Sequence, residues 1–155
     1  MAQLDLGATL ANVKTMLSGL TAWQTICSVA TSTEAAERIY LGGAEDSGDL
    51  CPCCVIDLAD SSAPFEFNRS TAVNVEMRFQ LAMPEDQQKN LQTEYIWAWS
   101  QCSALLLGIR ENSNGTGELM HTGTSLTVKP GPIDPAENDQ RNEWAFTLQI
   151  TVRMI

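Results

Sequence analysis

Thiols have the strongest claim to chemistry in this chain. Five cysteines occur in 155 residues, and three of them crowd into the run Cys51-Pro52-Cys53-Cys54. Such a run could offer thiolates to a soft metal. A tetrahedral zinc site needs a second pair of Cys or His ligands, however, and the sole histidine, His121, sits in a Gly/Thr-rich stretch read as a loop. The run therefore reads as structural, with Cys54 a small core residue entering a strand with Val55 and Ile56. The cysteine count is odd, and no basic, apolar leader follows Met1. Reduced thiols are expected, in a protein that is soluble and cytoplasmic at synthesis.

Other chemistries lack their parts. No Gly-x-Ser-x-Gly, Walker or dinucleotide glycine pattern is present. Glycoside hydrolysis needs two facing carboxylates, whereas acids such as Glu45, Asp46, Asp134 and Asp139 fall in loops and read as solvated faces. Asn114-Gly115-Thr116 marks a turn more naturally than a glycan acceptor. No catalytic, cofactor-binding or metal residue is assigned, and the chain reads as no enzyme. The formal charge of -10 excludes a protein whose main work is gripping phosphate backbones. An acidic wall would still let DNA slide past. The longest uncharged apolar-rich stretch, 95–109, is shorter than the ~20 residues of a bilayer span and contains Ser100, Gln101 and Ser103.

The elements that could position a site are easier to read. Leu6, Leu10, Val13, Leu17 and Leu20 form a narrow helical stripe, predicting a helix over about 8–19. Residues 21–30 give mixed signals. Thr31-Ser32-Thr33-Glu34 fits a capping box, opening a helical turn over 34–38. Arg38-Ile39-Tyr40-Leu41 reads as a strand stopped by Gly42-Gly43, and 54–58 as another. Residues 72–83 alternate strictly: Val73, Val75, Met77, Phe79, Leu81 and Met83 point one way, while Asn74, Glu76, Arg78, Gln80 and Ala82 point the other. Residues 143–155 repeat the pattern with Trp144, Phe146, Leu148, Ile150, Val152 and Met154. Whether these two long strands pair directly or flank a short one is open. A short strand is expected at 126–129, and long loops at 42–50, 111–122 and 130–142.

Between the two strands lies a second long helix, expected over about 85–109 with its entrance at Pro84-Glu85-Asp86. On a helical wheel, Leu91, Tyr95, Ala98, Trp99, Cys102, Leu105, Leu106 and Ile109 form one apolar face. The far side carries Ile96, Trp97, Ala104 and Leu107 with Ser100 and Ser103 between them, and no charge falls between Glu94 and Arg110. Such a helix asks for cover on two sides. Ile96, Trp97 and Leu107 are candidate subunit-interface residues. Trp97 is either covered by residues 21–30 or buried between subunits. In the second case a charged residue in its place should break assembly and leave a folded monomer.

The order is helix, short strands, a long amphipathic strand leaving at a proline, a long helix, then a long strand. With Arg38-Ile39-Tyr40-Leu41 after the first helical region and Glu143-Trp144-Ala145-Phe146-Thr147-Leu148 near the end, it resembles the tail terminator (tail-completion) proteins of long-tailed bacteriophages over nearly the whole chain. The resemblance implies a single α+β domain over 1–155: a mixed, mostly antiparallel sheet with two main helices packed on one face. It also implies a hexameric ring that caps the tail tube and presents a surface to the head connector, with DNA passing through unheld. Localisation would be the virion's tail or neck, after assembly in the host cytoplasm. A neck or head-closure adaptor, or another minor tail protein, is the nearest alternative. A cytosolic protein-binding module docking through Trp97 is an alternative of another class. The run Cys51-Pro52-Cys53-Cys54 is not a feature associated with that family.

Overall fold

The computed structural model describes residues 6–42, 52–58, 72–84, 86, 90–112, 118–129 and 143–153. The expected loops at 43–50 and 130–142 lie outside these residues, as do Cys51, the acids at 45, 46, 134 and 139, and Met154. The elements in chain order are α1 (Leu6–Ser18), α2 (Thr21–Cys27), α3 (Ser32–Ala36), β1 (Ile39–Leu41), β2 (Cys53–Leu58), β3 (Ala72–Ala82), α4 (Leu91–Glu111), β4 (Glu118–Lys129) and β5 (Glu143–Arg153). The fold is α+β. Its five strands form one mixed sheet in the order β1-β2-β3-β5-β4, with only the β1–β2 pair parallel.

The two long alternating strands are direct antiparallel neighbours, in register from Ala72 opposite Arg153 to Ala82 opposite Glu143. Their apolar residues consequently stand side by side: Phe79 faces Phe146, Met77 faces Leu148, Val75 faces Ile150 and Leu81 faces Trp144. A one-residue slip would turn the whole set onto the opposite face. Cys54 and Ile56 of β2 extend the same surface by pairing with Phe79 and Met77. Val13 and Leu17 of α1, Trp23 of α2, Ala35 of α3 and Cys102, Leu105 and Ile109 of α4 join these sheet residues in one buried core. Three rings meet at its centre. Phe79 stacks on Phe146 with centroids 4.9 Å apart, and Trp23 meets Phe79 edge-on at 5.5 Å.

Local chemistry sets the helix ends. Thr31 caps α3, its hydroxyl accepting from the Glu34 N–H at 3.3 Å, while Glu34 Oε2 accepts from the Thr31 hydroxyl and the Ala30 N–H. Thr31 and Glu34 thus bond reciprocally, with the backbone N–H of Ala30 in place of the N-cap's own, and the helix begins two residues ahead of the turn expected at 34–38. Ser28 closes α2 in the left-handed conformation at φ 56, and its N–H reaches the Thr25 carbonyl. Gly42, at φ +73, ends β1 and donates to the Ile56 carbonyl at 2.8 Å.

One element fills a stretch of mixed signals, and two differ from expectation. Residues 21–27 form α2, a helix too short to show a periodic stripe, held by Trp23, whose indole N–H donates to the Ala35 carbonyl. The second long helix starts at Leu91 rather than near Glu85. Asn90 is its cap, its side-chain oxygen accepting from the Thr93 N–H at 2.9 Å and so satisfying one orphan donor of the first turn. The short strand expected at 126–129 runs instead from Glu118, so that His121 lies in β4 and not in a loop. The long edge of β5 offers backbone partners all along it, and these override the weak strand preference of a Thr/Gly-rich segment, with a register shift between His121 and Gly123.

Candidate subunit interface

Helix α4 is the only element whose far side the sequence marks as apolar, and its geometry follows from its neighbours. It contacts β4 on one side and α2 on another. Gly108 marks the tight point: a Cβ there would come within 3.3 Å of Leu20 Cδ1, at the start of α2. Ala98, Cys102, Leu105 and Ile109 are buried beneath α4. Glu94 is buried as well, in the first turn, where the helix dipole favours a negative charge.

Directly opposite that buried face, Ile96 is 60% and Leu107 55% exposed. At about 100° per residue the two side chains fall within roughly 20° of one another around the helix. Ser100, Ser103 and Ala104, all exposed, fill the surface between them. The Ser100 hydroxyl is turned back onto the Ile96 carbonyl at 2.9 Å, so the stripe is less polar than its composition suggests.

Trp97 belongs elsewhere. It is half-buried and packs against the main core and against a small cluster of Met83, Ala98 and Trp144. Cover for Trp97 thus comes from within the chain. The structure puts Ile96 and Leu107 on one side of α4, about three turns apart, and leaves Trp97 on their flank. Tyr95, 48% exposed, adds an aromatic edge on the other flank, with its ring 6.1 Å from Trp144 and 6.3 Å from Trp99. The wheel position of Tyr95 predicts a core-face residue, and it stands only at that face's margin.

The thiols show what the cysteine-rich run does. Cys27, Cys53, Cys54 and Cys102 are all buried. Cys54 is a core residue on the apolar face of the sheet. Cys53 points to the other face, its thiol 3.6 Å from Gln80 Oε1. Among the described residues no group of three or more His, Cys, Asp or Glu side chains could hold a metal ion. Burial pushes the Cys27 thiol up to about 12, against the opposing pull of Arg38, and the Cys102 thiol up to about 11. Burial, with Cys53 adding to it, also raises Cys54 well above the ordinary range. Thiolate is the reactive form, so these are inert positions.

A pH dependence follows. The unfolded chain loses its thiol protons near 9.0, where the folded chain keeps them on Cys27 and Cys102. The thiol contribution to stability is therefore complete below that pH, falls as pH rises, and is gone above about 12. Alkylation at pH 8, read residue by residue by mass spectrometry, should label Cys27, Cys54 and Cys102 slowly in the folded protein and rapidly in denaturant. Fast labelling of Cys54 in the folded protein would contradict its placement.

On the face of the sheet away from the helices, the β3–β5 pair carries polar side chains that bond among themselves. Thr151 donates to Asn74 Oδ1 at 2.8 Å, and Arg78 lies 3.7 Å from Glu76. At the two ends of the sheet, β1 and β4 are each paired on one side only among the described residues. No helix among the described residues is long and apolar enough to cross a membrane. Compared with known proteins, the chain matches no protein-family model and no curated protein.

Proposed function

We propose that this chain is a structural subunit at the head–tail junction of a long-tailed bacteriophage, a tail terminator whose copies close into a ring. The observation that carries this reading is a pair of unlike sheet edges, each paired on one side only among the described residues: β1 with Ile39–Leu41 at one end and β4 with Glu118–Lys129 at the other. Unlike surfaces at opposite ends of one subunit are what a head-to-tail contact needs, and head-to-tail contacts close rings. A sheet edge left open invites strand pairing, so an edge of this kind gains by being covered. Leu41, 42% exposed at the β1 edge, is an apolar side chain suited to such cover.

The element order supports the same reading, since it resembles that of the tail terminator proteins, for which six copies is the expected ring. The partners of such a ring are the tail tube protein on one side and the head connector or neck protein on the other. A charge of -10 per copy suits a lumen through which DNA passes without being held. Ile96 and Leu107 are proposed as further subunit contacts, with Trp97 at their flank.

Native mass spectrometry over a range of concentrations, with negative-stain images of the same samples, tests the reading. A ring of one stoichiometry that binds the open end of isolated tail tubes is the expected result. A chain that stays monomeric or dimeric at the highest concentration sinks it.

A further inference from the structure

Strand β4 is symmetric about its middle, and its pairing with β5 reveals the symmetry. Eleven of its twelve residues stand opposite a β5 residue, and Thr122, at the register shift between His121 and Gly123, is the extra one. Thr124 is the sixth of those eleven. The extra residue also sets the faces. Leu119 and Val128 are nine positions apart, which in an unbroken strand puts them on opposite faces. With Thr122 set aside they share the face of Val152 and Trp144, as do His121, Thr124 and Leu126 opposite Ile150, Leu148 and Phe146.

We propose that two copies of this chain pair edge to edge through β4, antiparallel, about a two-fold axis at Thr124. Every facing pair then joins residues of one face: Leu119 meets Val128, Met120 meets Thr127, His121 meets Leu126 and Gly123 meets Ser125. Charge selects the occupant and the direction. Strand β4 holds one acid, Glu118, and one base, Lys129, at its two ends, so it carries none of the chain's surplus of -10. The two-fold axis sets Glu118 of each copy opposite Lys129 of the other. Within one copy Glu118 already stands opposite Arg153, and Lys129 opposite Glu143. Each end of the joint is therefore a row across four strands, Arg153, Glu118, Lys129 and Glu143, with signs that alternate. A parallel pair sets Glu118 beside Glu118 and Lys129 beside Lys129, and a one-residue slip mixes the two faces.

The joint is large enough to hold. Eleven facing pairs run about 37 Å and exchange roughly ten to twelve backbone hydrogen bonds, the number found in a typical whole interface. On its outer side β4 has no partner strand among the described residues.

The pairing does not rest on the ring reading. It joins like to like, which a head-to-tail contact does not, and it occupies the β4 edge that ring closure needs. Dimer and ring exclude each other, so the dimer is the form of the chain outside the ring, its longest edge covered until assembly.

Charge exchange on the full chain tests it. Glu118→Lys and Lys129→Glu should each weaken the dimer at least about tenfold, since like charges then face each other at both ends. Mixed in equal amounts, the two variants should recover a heterodimer, because every facing end is again unlike. Native mass spectrometry with one variant isotope-labelled reads this directly. Independently of those variants, Thr124→Cys, at the axis, should link to itself at least about tenfold faster than Thr127→Cys, whose two copies stand about 20 Å apart in the pair. Wild type is the blank for the native thiols. A monomeric wild type, a mixture no more dimeric than its components, or equal linking at 124 and 127 overturns the pairing. A dimer with these properties that never gives a ring sinks the ring alone, and a ring from a chain that shows none of them sinks the pairing alone.

Discussion

Replacing Phe79 by alanine should remove about 3–5 kcal/mol of stability, the usual cost of deleting a fully buried phenylalanine ring. Phe79 has no exposed surface and sits where the sheet and the helical layer meet. One side of its ring stacks on Phe146 of the neighbouring strand, and Trp23 of α2 meets it edge-on. Both aromatic contacts vanish with the ring, each worth roughly 0.5–1.5 kcal/mol beyond its area. Neither Phe146, on a strand paired on both sides, nor Trp23, tethered by its hydrogen bond to the Ala35 carbonyl, can swing freely into the space. The cavity therefore persists, which places the cost high in the range. A domain of this size has only about 5–15 kcal/mol in hand. Urea unfolding of Phe79→Ala should show a much lower midpoint with an unchanged slope. Thr147→Ala, half-buried on the opposite face of the sheet, should cost less than about 1 kcal/mol. Similar losses at the two positions would mean that the core is not on the helical face.

That contrast was legible in the sequence, because strict alternation in 72–83 and 143–155 names the buried face residue by residue. Every described member of the two apolar sets is buried, from Val75 to Met83 and from Trp144 to Val152. Alternation carries no information on which strand is the neighbour, so the direct pairing of β3 with β5 had to come from the fold. Length explains the missed α2: seven residues make about two turns, too few for a stripe to stand out, and its helicity depends on Trp23 docking into the core. The early part of β4 was hidden for a related reason. Its Thr/Gly composition suits a loop, and only the waiting edge of β5 makes it a strand. Cys53 and Val55 are buried on the face that alternation marks as polar, a placement no periodic reading of β2 provides.

The candidate interface was half legible, and the missing half changes an experiment. An uncharged far side on α4 is visible from spacing alone, yet a helical wheel cannot say how far a neighbouring helix reaches around it. Ile96, Leu107 and Trp97 all lie off the buried stripe, but α2 approaches α4 at Gly108 and Trp97 packs against two buried clusters. Charge at Trp97 therefore acts on folding before it acts on assembly.

Leu107→Glu and Trp97→Glu should consequently part company. Leu107 is more than half exposed, so its carboxylate replacement stays in water, and the unfolding midpoint should move little. Self-association through this side of α4 should be lost if Ile96 and Leu107 are the subunit contacts proposed above, since a carboxylate buried at such a contact is left without water or a partner. Trp97→Glu deletes a ring packed on Met83, Ala98 and Trp144 and puts a charge at the core margin, which should cost about 2 kcal/mol or more. Its unfolding midpoint should fall even in dilute monomer. Light scattering over a concentration series, run beside urea titrations of both variants, separates the two effects. Unchanged association in Leu107→Glu would remove the stripe from the interface. A Trp97→Glu chain as stable as wild type, with association lost, would return Trp97 to the contact between subunits.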